Sequence, residues 1–226
     1  MVMLGFLGVF SLGDGKEMPA VSLGDFVTYL NGITKGNVTV ETFDVFVDRQ
    51  IAERRFGSDS VNSIVTRLGT DHVLKVVEFS NAWSQKLFEN ARRSEAKIRE
   101  KLKSKENLCY MQFFNLAHQV YYVGLFKGYI HGFVIENLMQ GNDLNTWITE
   151  QYAEVVRDNG NAKVACSQFE MKVVGVLFFL VQLIHKMYVM GINHNDLHDR
   201  NLFIQPGVLR YVVRREGDAK GCLLYT

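Results

Sequence analysis

The stretch from Gln168 to Val189 is apolar nearly all the way round at helical spacing. A helix of that kind offers water no polar face, so it calls for cover on every side, by protein or by lipid. Length separates the two. The continuous apolar run, Val173 to Val181, is soon interrupted by Gln182 and His185, well short of the roughly 20 apolar residues that a spanning helix needs. The sequence therefore predicts the buried central helix of a helical lobe in a soluble protein, with no membrane partner. The apolar segment Met1 to Leu12 is not expected to be a secretion signal. It has no basic flank, and Ser11-Leu12-Gly13-Asp14 stands where a cleavage site would be.

A chain of 226 residues has room for one or two domains. Its 47% hydrophobic and 22% charged residues suit a globular core and exclude a disordered chain. Lys and Arg number 25 against 24 acidic residues, so no bulk charge draws the protein to nucleic acid or anionic lipid. The basic residues between Lys86 and Lys105 are read as the solvated outer face of a helix. Cys109, Cys166 and Cys222 are widely spaced and odd in number. They make neither a disulfide framework nor a zinc site, and a reducing, cytoplasmic compartment is expected.

Patterning divides the chain into a strand-rich half and a helical half. Val38 to Val47 alternates as a strand would. Short strands are expected at Ser63 to Arg67 and Val73 to Val77, joined by a Leu68-Gly69-Thr70-Asp71 turn, and two more within Val120 to Leu138. Helices are expected at Asn81 to Lys105, Leu144 to Val156 and Gln168 to Val189, with further strands after Asn201 around a Glu216-Gly217-Asp218 turn. Trp83 and Trp147, near helix starts, are expected to pack in the interior. The outcome is an α+β architecture with a cleft between the halves.

The chemistry is concentrated in Gly191-Ile-Asn-His-Asn-Asp-Leu-His-Asp-Arg-Asn-Leu-Phe-Ile204. Phosphoryl transfer needs a carboxylate near the attacking hydroxyl and an oxygen ligand for magnesium, and Asp196 with Asn201 five residues on can supply both. His194, Asp196 and Asn201 resemble the H-x-D-x-x-x-x-N catalytic loop of the protein-kinase-like superfamily. Val73-Leu-Lys-Val-Val77 resembles the family's V-A-I-K strand, which makes Lys75 the residue to hold the α- and β-phosphates. Glu95 on the following helix is then its ion-pair partner, with Glu89 as fallback. Gly57 opens a segment on the spacing of the family's glycine-rich loop, although Asp59 and Asn62 stand at its second and third glycines. Val134 to Leu144 resembles the hinge, with backbone groups around Glu136 to Leu138 facing adenine.

Two departures modify what the resemblance implies. Asp196-Leu-His198 carries His where eukaryotic protein kinases usually have Lys, and so resembles kinase-like proteins of large DNA viruses and small-molecule kinases. The D-F-G-type magnesium Asp has no counterpart: Asp218 falls in a polar turn with no aromatic residue directly after it. A chain lacking that ligand is expected to bind nucleotide weakly and transfer phosphate poorly, as a C-terminally truncated fragment or a minimal kinase-like domain would.

The resemblance implies a two-lobe fold: an extension over residues 1–50, a β-rich lobe over 51–138 and a partial helical lobe over 139–226. It implies ATP and Mg2+ as cofactors, Asp196 and Asn201 as catalytic residues, Asn201 as the metal ligand, and Gly57, Lys75, Glu95, Glu136 and Leu138 around the nucleotide. The acceptor is expected to be a protein Ser/Thr hydroxyl, in host cytoplasm or virion if the chain is viral. A small-molecule kinase and a non-catalytic pseudokinase that binds a partner are the alternatives.

Overall fold

The elements run, in chain order, β1 (Val2–Gly5), α1 (Leu23–Thr34), α2 (Phe43–Arg54), β2 (Ser63–Leu68), β3 (His72–Glu78), α3 (Ala82–Leu102), a 3-10 helix (Leu108–Phe113), β4 (Phe114–Asn115), β5 (Tyr121–Phe126), β6 (Tyr129–Asn137), β7 (Asn142–Asp143), α4 (Leu144–Arg157), α5 (Ala162–Val189), a 3-10 turn (Asp199–Asn201), β8 (Leu202–Ile204), β9 (Tyr211–Val213) and β10 (Leu223–Tyr225). This computed structural model describes residues 2–5, 20–54, 63–157, 162–193, 197, 199–204, 211–213 and 223–225. The protein is mixed α+β and divides into two compact units. One comprises Val9–Arg99 and Leu116–Leu138, the other Met1–Gly8, Glu100–Asn115 and Met139–Thr226.

The first unit is built on an antiparallel sheet in the order β2-β3-β6-β5. Alternation along its strands sorts side chains onto two faces. Leu74, Val76, Phe133 and Ile135 point to one, where Phe26, Val27 and Leu30 of α1 and Phe43 and Val47 of α2 close over them. Phe133 is the hub of that core, with Phe43 at 5.2 Å edge-on, Tyr122 stacked at 5.5 Å and Phe126 at 6.1 Å. Phe79, Phe88, Ala117, Tyr121 and Val134 cluster separately, with the α3 residue Phe88 set against Tyr121 of β5 at 5.8 Å. The β5–β6 hairpin turns through Lys127 and Gly128, both at positive φ (51° and 82°), the backbone that a two-residue primed turn requires. Lys127 is a costly residue there. Its ammonium pairs with Asp48 of α2 at 2.5 Å, which ties the hairpin to that helix.

Where a strand was expected across Val38 to Val47, the chain turns and then becomes α2. Asn31 clasps Val38 from both sides, accepting its N–H at 2.9 Å and donating to its carbonyl at 2.7 Å. Thr39 and Thr42 then exchange bonds between backbone N–H and hydroxyl at 2.9 and 3.3 Å, a reciprocal cap of the kind that starts helices. The apolar residues fit both periods, but Phe43, Val47 and Gln50 recur at helical spacing and are the buried ones.

In the second unit, β1 pairs antiparallel with β8 and parallel with β4, in a sheet ordered β4-β1-β8-β7. The N-terminal apolar segment thus contributes a strand. β9 and β10 pair antiparallel, Val213 opposite Leu223; the turn expected between them lies outside the described residues. Asp143 starts α4, accepting the Thr146 N–H at 3.0 Å and its hydroxyl at 2.8 Å. Burial works to raise its pKa, but these bonds prevail and hold the carboxyl below its ordinary range. Asp143→Ala is expected to cost about 1 kcal/mol, as loss of a helix cap does, readable as a lower urea midpoint.

α5 corrects the sequence expectation most. It begins at Ala162, earlier than the apolar pattern indicated, and buries one face only: Val176, Phe179, Leu180, Leu183 and Met187. Phe179 meets Phe113 edge-on at 5.0 Å, and Phe169 meets Tyr152 of α4 at 6.1 Å. Met171, Val174, Phe178, Val181 and Tyr188 on the other side are exposed. Lys163–Val189 is long and apolar enough to cross a membrane, and 17% of its apolar window is buried. It is therefore not the fully covered centre of a lobe.

Three smaller expectations also change. Trp83 is 65% exposed rather than interior, because the apolar face of α3 is carried by Phe88, Ala91, Ile98 and Leu102. The basic residues of α3 are not a uniform solvated face: Arg92 is buried, Arg99 donates to the Ala117 carbonyl at 2.6 Å, and Lys101 donates to the Met190 carbonyl at 2.7 Å. Cys109 is disulfide-bonded, which the reading of three separate thiols did not anticipate, while Cys166 is free and exposed.

Candidate functional site

Lys75 sits in the middle of β3, opposite Val65 of β2 and Val134 of β6. Its immediate neighbours Leu74 and Val76 belong to the α1–α2 core, so alternation sends Lys75 to the opposite face of the sheet. It is buried there, at 7% exposure. A buried ammonium needs anionic company to stay charged, and Glu95 of α3 is within electrostatic reach of it. The pairing expected from the resemblance therefore has both residues in one unit, both buried. Glu89, the fallback, is half-buried and bonds Gln85 at 2.9 Å and pairs with Arg93 at 3.9 Å.

Glu95 also has a directly bonded cation on its own helix. The Arg92 guanidinium donates to its carboxylate at 2.9 Å, and both side chains are buried. Desolvation dominates even so, raising the Glu95 pKa from 4.5 to about 7; Arg92 opposes the rise, Glu136 adds to it, and Lys75 and Arg99 oppose it less strongly. Arg92 was not singled out from the sequence. The signal was present, since Arg92 and Glu95 stand three apart and so share a helix face, but it was masked by the many other charges around it.

Of the residues expected at the nucleotide's edge, Glu136 lies near the end of β6 and Leu138 directly follows that strand. The Leu138 N–H donates to the Asp71 carbonyl at 2.7 Å, so that amide is committed within the protein. The Glu136 side chain comes close enough to Glu95 to raise its pKa. Beside them His118 links α1 to β6. Its Nδ1 lies 2.8 Å from the Tyr29 hydroxyl of α1 and its Nε2 3.0 Å from Asn137 Oδ1. A neutral ring protonated on Nε2 satisfies both bonds, and burial, the largest influence, lowers its pKa accordingly. The N-terminal helix is thereby tied to the strand end where the adenine contacts were expected.

Asn201 belongs to the other unit, at the end of the 3-10 turn that leads into β8, and is 2% exposed. Asp196, His194 and His198 lie outside the described residues, as do Gly57, Asp59, Asn62 and Asp218. Among the described residues no group of three or more His, Cys, Asp or Glu side chains could hold a metal ion. Lys75 suits a phosphate ligand by charge and burial, and the Asn201 amide oxygen suits a magnesium ion as one ligand of several.

No family model matches this chain. Neither a curated protein nor a solved structure matches it. A functional reading therefore stands on the chain's own residues.

Proposed function

We propose that the protein is an ATP-dependent, kinase-like phosphotransferase. The observation that supports it is the burial of Lys75 on a central strand within electrostatic reach of a buried Glu95. Burying a lysine is costly unless its charge is used, and the phosphates of a nucleotide are a use that fits it. In this reading Lys75 holds the α- and β-phosphates, Glu95 orients Lys75, and Asp196 accepts the proton of a protein Ser/Thr hydroxyl. Asn201 is the magnesium ligand. Magnesium, when bound, neutralises charge on the phosphates.

Titration of the chain with Mg·ATP, followed by calorimetry, tests the reading. Lys75→Met is expected to weaken binding about 10- to 100-fold, the loss that goes with a hydrogen bond between charged groups, while the far-UV spectrum stays unchanged. Equal affinity in the folded variant would remove Lys75 from the site and the reading with it.

A second reading, a relative that binds nucleotide without transferring phosphate, is favoured by one observation. Glu95 is bonded to Arg92 at 2.9 Å and burial raises its pKa, both of which weaken it as a partner for Lys75. Asp196→Ala separates the two, since transfer depends on that carboxylate and nucleotide binding alone does not.

A further inference from the structure

The exposed side of α5 carries a second, independent pattern. Val164, Ser167, Met171, Val174, Phe178, Val181, His185 and Tyr188 are all exposed, and they recur in alternating steps of three and four along the helix. That is the a/d spacing of a coiled-coil seam, on the side opposite the residues buried within the unit. The five largest apolar exposures on it run from 56% at Phe178 to 75% at Tyr188. With Leu177 and Ile184 alongside, the stripe exposes on the order of 800 Å², the share each partner gives to a specific interface of standard size and more than an isolated patch normally reaches.

We infer that this stripe is the interface of a homodimer in which two copies of α5 pack antiparallel about a two-fold axis at the level of Val176. The choice of a second copy rests on self-complementarity, which an isologous two-fold contact demands. In that register each a position meets a d position of the other copy: Val174 opposite Phe178, Met171 opposite Val181, Val164 opposite Tyr188. A small side chain faces a larger one in each of these layers, and the two polar members, Ser167 and His185, face each other. A parallel arrangement would instead set Phe178 on Phe178 and His185 on His185. The inference is independent of phosphotransfer.

Sedimentation equilibrium on the full chain between roughly 1 and 100 µM tests it, with the expected species at twice 25.8 kDa. Val181→Glu, at a site 66% exposed in the protomer, is expected to shift the chain to monomer with its helical spectrum intact. Cysteine cross-linking in a Cys166→Ser background checks the register: Met171→Cys with Val181→Cys is expected to join two chains on oxidation, and Met171→Cys alone is not. A monomer throughout that range overturns the inference. So does cross-linking by Met171→Cys alone, or a monomer that floats with phosphatidylcholine vesicles, which would assign the stripe to lipid.

Discussion

Replacing Phe133 with alanine is expected to destabilise the protein by about 3–5 kcal/mol, the range for removing a buried aromatic ring from a core. Phe133 has no exposed surface, and its ring contacts Phe43 from α2, Tyr122 and Phe126 from β5, and, at 6.5 Å, Phe26 from α1. Three elements would have to collapse together to fill the space, and the sheet that carries them is held on both sides by hydrogen-bonded neighbours, since β6 pairs with both β3 and β5. The cavity would therefore stay largely open, which places the cost at the upper end. The measurement is the urea midpoint at an unchanged slope. Val45, on the same helix as Phe43 but 69% exposed, provides the control: Val45→Ala is expected within about 0.5 kcal/mol of the parent. A loss below about 1 kcal/mol for Phe133→Ala would mean that α1 and α2 do not close over the sheet as described.

The α1–α2 cover is also where sequence and structure part company. The strands of the first unit were legible because their apolar residues alternate and their turns carry Gly69 and Gly128 at positive φ. α3 was legible from its helical periodicity. Between Val38 and Val47, however, the residues satisfy both periods, and the decision lies in Asn31, Thr39 and Thr42, whose bonds to nearby backbone stop the strand and start the helix. Propensity patterns do not register such local side-chain bonds. α5 failed for a different reason. A helix apolar all round tells how much surface calls for cover, not what provides it, and a single chain's sequence cannot distinguish its own core from a second copy. For the candidate site, the resemblance singled out Lys75 and Glu95, which the fold buries in one unit, whereas Arg92, which bonds Glu95 at 2.9 Å, was not part of that pattern and emerged only from the packing of α3.

The charge state of Glu95 should make the stability of this protein fall as the pH rises from 5 to 8. Its pKa is about 7 in the folded protein against 4.5 ordinarily, so the folded state holds a proton that the unfolded state has released. A raised folded pKa contributes stability that is complete below about 4.5 and is lost as the pH passes through about 7. A tenfold change in acidity is worth roughly 1.4 kcal/mol, so the whole excursion is about 3 kcal/mol, and full burial leaves little solvent screening to reduce it. Glu95→Gln mimics the protonated side chain and keeps an acceptor for Arg92. Its urea midpoint should therefore match the parent near pH 5 and exceed it at pH 8, the parent alone showing the decline. Arg92→Met acts in the opposite sense on the carboxyl: it removes the strongest influence lowering the Glu95 pKa, and a carbon-13 titration of the Glu95 carboxyl should move above 7. Parallel pH profiles for the parent and Glu95→Gln would mean that Arg92 and Lys75 together keep Glu95 ionised through neutrality. That outcome would strengthen the ion pair on which the proposed phosphotransferase reading relies and weaken the binding-only alternative.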